Sequence, residues 1–377
     1  MSLTQRPELR RTEILSFPRA LPEPFVSRQI FYTMNGRNAI YHALKALGVQ
    51  KGTTVLLPAF HCTALVDPVI AYGCSVKFYT VHRDLSLDMD EIAALAHSGA
   101  SALLFVHFFG YPAPVHELAE IARSFSMKLV EDCTHTLTGT IDDQPVGTFG
   151  DAAIFSLRKI LPVPDGGILL LNKSKKYLPV LKSPLTYHLR MAKWAFETNV
   201  EMSTKHDAAP QQALHTEKVE ISASSRKGPA SHEDPEFYAM WRNWSISKIS
   251  KMILQRTDLE DVRQKRIDNF NRILTGFLDH EEVKLFSKDS MQLCPLGFPF
   301  TSDSPDRIDY QLRRLGIPAF SFGEDLHPRL DLRKFPDAKY LSEHLVLLPV
   351  HQNLSEANIA VMLKATKTIF QNSTLQV

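Results

Sequence analysis

Three groups in this chain could act together on one small molecule. Lys159 lies in FSLRKILPVPDGGILLLN (residues 155–172), between the apolar runs 152–155 and 168–171. An amine held among apolar neighbours is disfavoured as the ammonium, which makes a neutral nucleophile accessible. Asp132 ends the apolar stretch that begins at Lys128, so its carboxylate stands where a strand runs out. Gly36, Arg37 and Asn38 open a helical pattern, and backbone N–H groups at such an end, approached closely over a glycine, suit a phosphate. Each group has an ordinary reading as well. These are a surface lysine on a hairpin, a helix cap or buried ion-pair partner, and a glycine that merely precedes a helix.

The elements that must position these groups follow from periodicity. Ala39, Ile40, Ala43, Leu44 and Leu47 recur at helical spacing, and Gly48 stops the helix. Residues 53–57, 74–81, 102–106 and 128–130 read as short apolar strands, with helices over 88–96 and 115–125. Such alternation predicts an α/β fold with a mostly parallel, doubly wound sheet covered on both faces. Working residues in such sheets gather beyond the carboxyl ends of the strands, where Asp132 and the stretches 58–63 and 107–110 fall. Residues 1–34 read as an irregular amino-terminal arm and 35–250 as the large domain. Residues 251–377 read as a smaller α+β domain, with short strands at 297–300 and 345–349 and a last amphipathic helix over 355–370. A Ser-, Lys-, Glu-, Pro- and His-rich stretch of about 197–236 has no sustained period and reads as a polar insertion or lid.

Bulk composition narrows the function classes. The 377 residues carry 43 basic and 41 acidic side chains, a net charge of +2 that offers no pull toward nucleic acid or an anionic membrane. No run approaches a membrane span, and the first residues lack the apolar core of a signal peptide. Four scattered cysteines, Cys62, Cys74, Cys133 and Cys294, have neither metal-ligand nor disulfide spacing, so no metal and a reducing cytoplasmic setting are expected.

A phosphate cradle, a carboxylate and a lysine are the groups that pyridoxal phosphate (PLP) requires. The carboxylate keeps the pyridine nitrogen protonated, so that the ring can act as an electron sink, and the lysine bonds the aldehyde and shuttles a proton. Longer segments point the same way. GRNAIYHALKALG, LLPAFHCTALVDPVIAYG, VHFFGYPAPVHELAEIA, LVEDCTHTLTG, VGTFGDAAIFSL, RNWSISKI and LPVHQNLSEANI occur in an order that resembles the DegT/DnrJ/EryC1/StrS family of PLP-dependent (sugar) aminotransferases. The resemblance runs from about residue 31 to the carboxyl terminus. It implies a PLP-dependent transferase of fold type I, with a mostly parallel seven-stranded-type sheet flanked by helices and a smaller α+β carboxyl-terminal domain.

Carried over position by position, the resemblance makes Lys159 the Schiff-base lysine and Asp132 the pyridinium partner. His135 stands near the ring's phenolic oxygen. Ser156, Gly36, Arg37 and Asn38 take the phosphate, and Asn243 reaches the phosphate of the neighbouring subunit, which implies a homodimer with shared sites. Phe60 or His61 replaces the ring-stacking aromatic, whose usual position holds Cys62. The step from Phe155 to Lys159 is two residues shorter than the family's, whereas that from Lys159 to Gly166-Gly167 is conventional. Glu131 reads as an ordinary strand-end charge, His61 and His107 as structural, and Gly139, Gly147 and Gly150 as turn residues. The implied activity moves an amino group from an amino acid, glutamate by analogy, to a keto-sugar that is usually nucleotide-linked, in polysaccharide or secondary-metabolite biosynthesis. Two other readings share these residues: a PLP enzyme of another reaction type, such as a sugar dehydratase, and a non-catalytic PLP-binding regulatory or scaffolding protein.

Overall fold

A computed structural model describes residues 3–10, 14–173, 182–205, 241–280, 283–302, 308–323 and 326–374. Most of the polar insertion expected at 197–236 therefore lies outside the described residues.

The chain alternates β1 (Gln29–Thr33), α1 (Gly36–Ala46), β2 (Thr54–Pro58), α2 (Thr63–Tyr72), β3 (Ser75–Tyr79), α3 (Met89–His97), β4 (Ala100–Val106), α4 (Val115–Ser124) and β5 (Lys128–Asp132). After a small β6 (Thr140–Ile141) and β7 (Gln144–Pro145) hairpin come β8 (Ala152–Ser156), the single turn α5 (Leu157–Ile160) and β9 (Gly167–Leu171). These strands form one seven-stranded sheet in the order β1-β9-β8-β5-β4-β2-β3. From β8 to β3 every neighbouring pair is parallel, and the apolar runs of β2, β4, β5 and β8 are buried, as a sheet covered on both faces requires.

Two strands depart from the sequence expectation. β9 runs antiparallel to β8, because the link through α5 is too short for a crossover. β1 belongs to the stretch read as an irregular arm, yet it pairs antiparallel with β9 along its whole length. Its five residues, QIFYT, are too few and too partially buried to show alternation. The junction explains the Gly166-Gly167 pair. Gly166 has φ +124°, and a Cβ on Gly167 would stand 2.4 Å from the Asn35 carbonyl carbon. The strand that leaves the lysine loop is thus pressed against the start of α1.

The remainder contains α6 (Leu185–Lys205), α7 (Lys248–Arg256), α8 (Leu259–Phe277), β10 (Lys284–Leu285), β11 (Phe298–Thr301), α9 (Ile308–Arg314), β12 (Phe320–Ser321), α10 (Pro336–His344), β13 (Leu345–Leu348) and α11 (Glu356–Thr374). An antiparallel sheet of order β10-β11-β13-β12 packs with α8 and α11 around a second core. The two cores share β13, whose Leu345 and Leu347 face the large core and Val346 and Leu348 the small one, and they share one helix. Leu259 and Val262 of α8 belong to the large core, whereas Ile267, Phe270, Ile273 and Phe277 belong to the small one. Buried Arg266 lies between them, donating to the carbonyls of Pro295 and Leu296 at 2.8 and 3.0 Å and to Gln352 Oε1 at 3.0 Å.

Candidate active site

The site forms at the carboxyl ends of the parallel strands. β5 delivers Asp132, which is buried and whose Oδ1 accepts from the Thr134 amide at 2.7 Å. β8 delivers Ser156 and then α5, whose one helical turn takes up the shortened Phe155-to-Lys159 step. From that turn the Lys159 Nζ donates to Thr134 Oγ1 at 3.3 Å. The start of α1 closes the third side, since a Cβ on Gly36 would lie 3.4 Å from Thr134 Cγ2 and 3.8 Å from Ser156 Cβ. Lysine, aspartate and helix end therefore meet around Thr134, a residue the sequence did not single out.

The titratable groups here act on one another. Burial pulls the Lys159 amine below its usual range, against the attraction of Cys62 and Asp132, and the positive charges of Arg158 and Arg6 push it the same way as burial. His135 is buried and held well below the ordinary imidazole range, by desolvation first and then by Lys159 and His61. It is clamped face-on by Phe109 (centroids 5.3 Å) and edge-on by Phe322 (4.8 Å). Its Nδ1 accepts from the Phe109 amide at 3.3 Å, which puts the proton of the neutral ring on Nε2.

The two residues expected at the stacking position lie in different surroundings. Phe60 is buried in an aromatic cluster with Phe108 and Phe322. His61 instead places its Nε2 3.9 Å from Asp132 Oδ2 and stacks on His135 at 5.9 Å. The Nε2 atoms of both histidines are buried with no hydrogen-bond partner among the described residues. Two unpartnered polar atoms beside a desolvated lysine and a buried carboxylate fit a polar ring such as that of PLP.

The phosphate cradle needs one correction. Gly36 and Arg37 stand at the helix end as expected, but the Asn38 amide is used by the Asn35 cap at 3.0 Å. The Asn38 side chain donates to the Trp241 carbonyl at 2.8 Å. Asn38 thus fastens the 241–244 turn to α1. Asn243 is exposed on that turn. Arg158, beside the lysine, is exposed and has the charges of Arg6 and Arg37 as neighbours. Arg6 reaches this region because the amino-terminal arm docks on residues 351–353. The His351 Nε2 lies 2.8 Å from the Thr4 carbonyl, and Asn353 donates to the Glu8 carbonyl at 3.0 Å. Gln352 then donates to the Ile160 carbonyl at 3.4 Å.

Glu131 is the residue sequence reasoning valued least against its structural weight. Buried, it accepts from the amides of Gly147 (2.6 Å), Phe149 (2.9 Å) and Gly150 (3.3 Å), and its Oε1 lies 3.0 Å from His107 Nε2. It ties the loop before β8 to β5, and the glycines at 147 and 150 were its only sequence signal. Asp165, just before the glycine pair, is a second such knot. It accepts from the Tyr187 hydroxyl, the Ser247 amide and hydroxyl, and the Ser250 hydroxyl.

Comparison with known proteins agrees with this geometry. Residues 12–182 match the model of the DegT/DnrJ/EryC1/StrS aminotransferase family. A GDP-perosamine synthase from Vibrio cholerae is 26% identical over 141 residues, which is 37% of this chain and 38% of that protein. The chain thus aligns with about two fifths of the length of that curated relative. Two solved structures share the fold across nearly the whole chain. Helicobacter pylori PseC, an aminotransferase involved in the biosynthesis of pseudoaminic acid, has a TM-score of 0.71 at 14% identity, covering 99% of this chain and 100% of that one. The PLP form of the sugar aminotransferase Spr1654 from Streptococcus pneumoniae has a TM-score of 0.69 at 15% identity, covering 99% and 100%. Over residues 12–182 this chain is thus similar to the DegT/DnrJ/EryC1/StrS aminotransferase family, and over nearly its whole length it has the fold of these two structures.

Proposed function

We propose that the protein is a PLP-dependent aminotransferase that moves an amino group from an amino acid, glutamate in our reading, to a nucleotide-linked keto-sugar. The carrying observation is the convergence of the Lys159 amine, the Asp132 carboxylate and the amino-terminal end of α1 around Thr134. PLP, when bound, supplies the electron sink that lets a proton leave the carbon bearing the amino group. Lys159 is the attachment point and afterwards the base. Desolvation raises its neutral fraction, and Thr134 Oγ1 fixes where Nζ sits. Asp132 is oriented by the Thr134 amide to hold a proton on a ring nitrogen, and neutral His135 offers its Nε2–H to an oxygen. Ser156, Gly36 and Arg37 are the phosphate ligands in this reading, and His61 lies against the ring.

The relative's printed name, a GDP-sugar synthase, supports a nucleotide-linked acceptor. So does the accumulation of Arg6, Arg37 and Arg158 near the lysine, without a carboxylate in ion-pair contact among the described residues. A homodimer in which Asn243 completes the partner's site belongs to the same reading. Exposed Phe17, Leu185, Leu189 and Phe196 supply apolar surface for it, and sedimentation at twice the chain mass is the expected result. A cytoplasmic location is supported by four free cysteines, and no helix among the described residues is long and apolar enough to cross a membrane.

The test is chemical. After loading with PLP and borohydride reduction, cofactor mass is expected on the peptide containing Lys159 and absent in Lys159→Ala. Glutamate should bleach the near-visible absorption of the loaded protein. Mass on another lysine, or absorption indifferent to every amino donor, sinks the reading.

A further inference from the structure

We propose that Cys62 is a reactive thiol, a modification site for soft electrophiles and hydroperoxides, activated by a Cys62–His61–Asp132 array inside the candidate active site. The three side chains are neighbours. Cys62 Sγ lies 3.6 Å from His61 Nδ1, which is also 3.1 Å from the Cys62 carbonyl oxygen, and His61 Nε2 lies within ion-pair reach of Asp132 Oδ2 at 3.9 Å. His61 is nine-tenths buried or more, with 4% of its side chain exposed, and its Nε2 has no hydrogen-bond partner. Cys62 occupies the N-cap position of α2, where the helix dipole favours a negative charge, and Lys159 adds a cation on the same side. Burial alone would raise the thiol. The charge of His61 and its hydrogen bond, followed by Lys159, outweigh burial and bring it to about 7, while His61 is raised in turn by Cys62 and Asp132.

The other three cysteines provide a contrast within the chain. Cys74, Cys133 and Cys294 are buried, and desolvation raises each of them, whereas Cys62 is the one cysteine that is only half-buried. Modification at Cys62 is balanced simply. With a haloacetamide, the thiolate forms a sulfur–carbon bond, halide leaves, and the thiol's proton has gone to His61. With a hydroperoxide, sulfur gains one oxygen as the sulfenic acid, the O–O bond breaks and an alcohol or water departs. Either adduct lies beside Lys159 and the orphaned His61 nitrogen, so it obstructs whatever occupies the site. This consequence rests on the PLP reading; the reactivity itself does not.

The experiment measures iodoacetamide labelling by peptide mass mapping of the full-length protein, with and without PLP, across pH 5.5–9.5. Carbamidomethylation confined to Cys62 is expected, with a rate midpoint near pH 7. His61→Asn and, independently, Asp132→Asn should shift that midpoint upward, toward the ~8.5 of a free thiol. A Cys62 rate midpoint like that of glutathione in the wild-type protein overturns the proposal without any variant. PLP should slow the labelling at least tenfold. A reactive Cys62 that PLP fails to protect, in protein that binds none, overturns the cofactor reading and leaves the thiol assigned. An unreactive Cys62 in protein that holds PLP on Lys159 does the reverse.

Discussion

At the scale of single residues, the buried carboxylates differ in how many backbone and side-chain donors they hold. Asp132 is satisfied by one backbone amide and keeps Oδ2 for the cavity, whereas Glu131 spends both oxygens on three amides and His107. Gln at position 131 keeps the volume but turns an NH2 toward buried donors. With hydrogen bonds to charged groups worth about 1.5–3 kcal/mol each, Glu131→Gln should lower unfolding stability by about 3 kcal/mol. Urea denaturation measures it, and a loss under about 1 kcal/mol contradicts the assigned role. Lys159 and Asp132 were legible in the sequence because their types and order suit one coenzyme. Thr134 and His61 were not, because a threonine in a loop and a histidine after a phenylalanine have no period or partner until the strands are aligned.

At the scale of elements, strands and helices were legible wherever apolar runs were long, as in β4 and β8. β1 was missed because five half-buried residues owe their conformation to pairing with β9, a tertiary effect that local pattern does not carry. The arm shows the same dependence and yields a pH prediction. His351 is buried against Thr4, and desolvation, with the charges of Arg266 and Arg10, lowers its pKa to about 4 despite the Thr4 bond. The unfolded chain, with histidine near 6.5, binds the extra proton first. Stability from this group is therefore complete above about pH 6.5 and is lost as pH falls toward 4. The span corresponds to about 3 kcal/mol. Limited proteolysis should cut within residues 3–10 faster at pH 5 than at pH 7, and His351→Gln should flatten the difference. Equal rates for the wild type at both values would count against the docking described for the arm.

For the whole molecule, the two cores interlock. A boundary at residue 250 respects composition, and beyond it α8 passes from the large core to the small one near residue 266 while β13 gives alternate residues to each. Arg266 has no carboxylate partner among the described residues and is stitched instead to carbonyls and Gln352. Arg266→Ala orphans those acceptors and opens a cavity, so a loss of about 3 kcal/mol or more is expected, with one unfolding transition splitting into two. A single undisturbed transition in calorimetry would show that the seam lies elsewhere. The shared helix also bears on how such proteins could be recombined. A chimera joined at 250 would give the recipient a rod with one face cut for a foreign interior, whereas a junction in the turn after Phe277 would keep the whole rod with its original bed. Recombination between relatives, by nature or by design, should therefore favour breakpoints beyond the rod over those ahead of it.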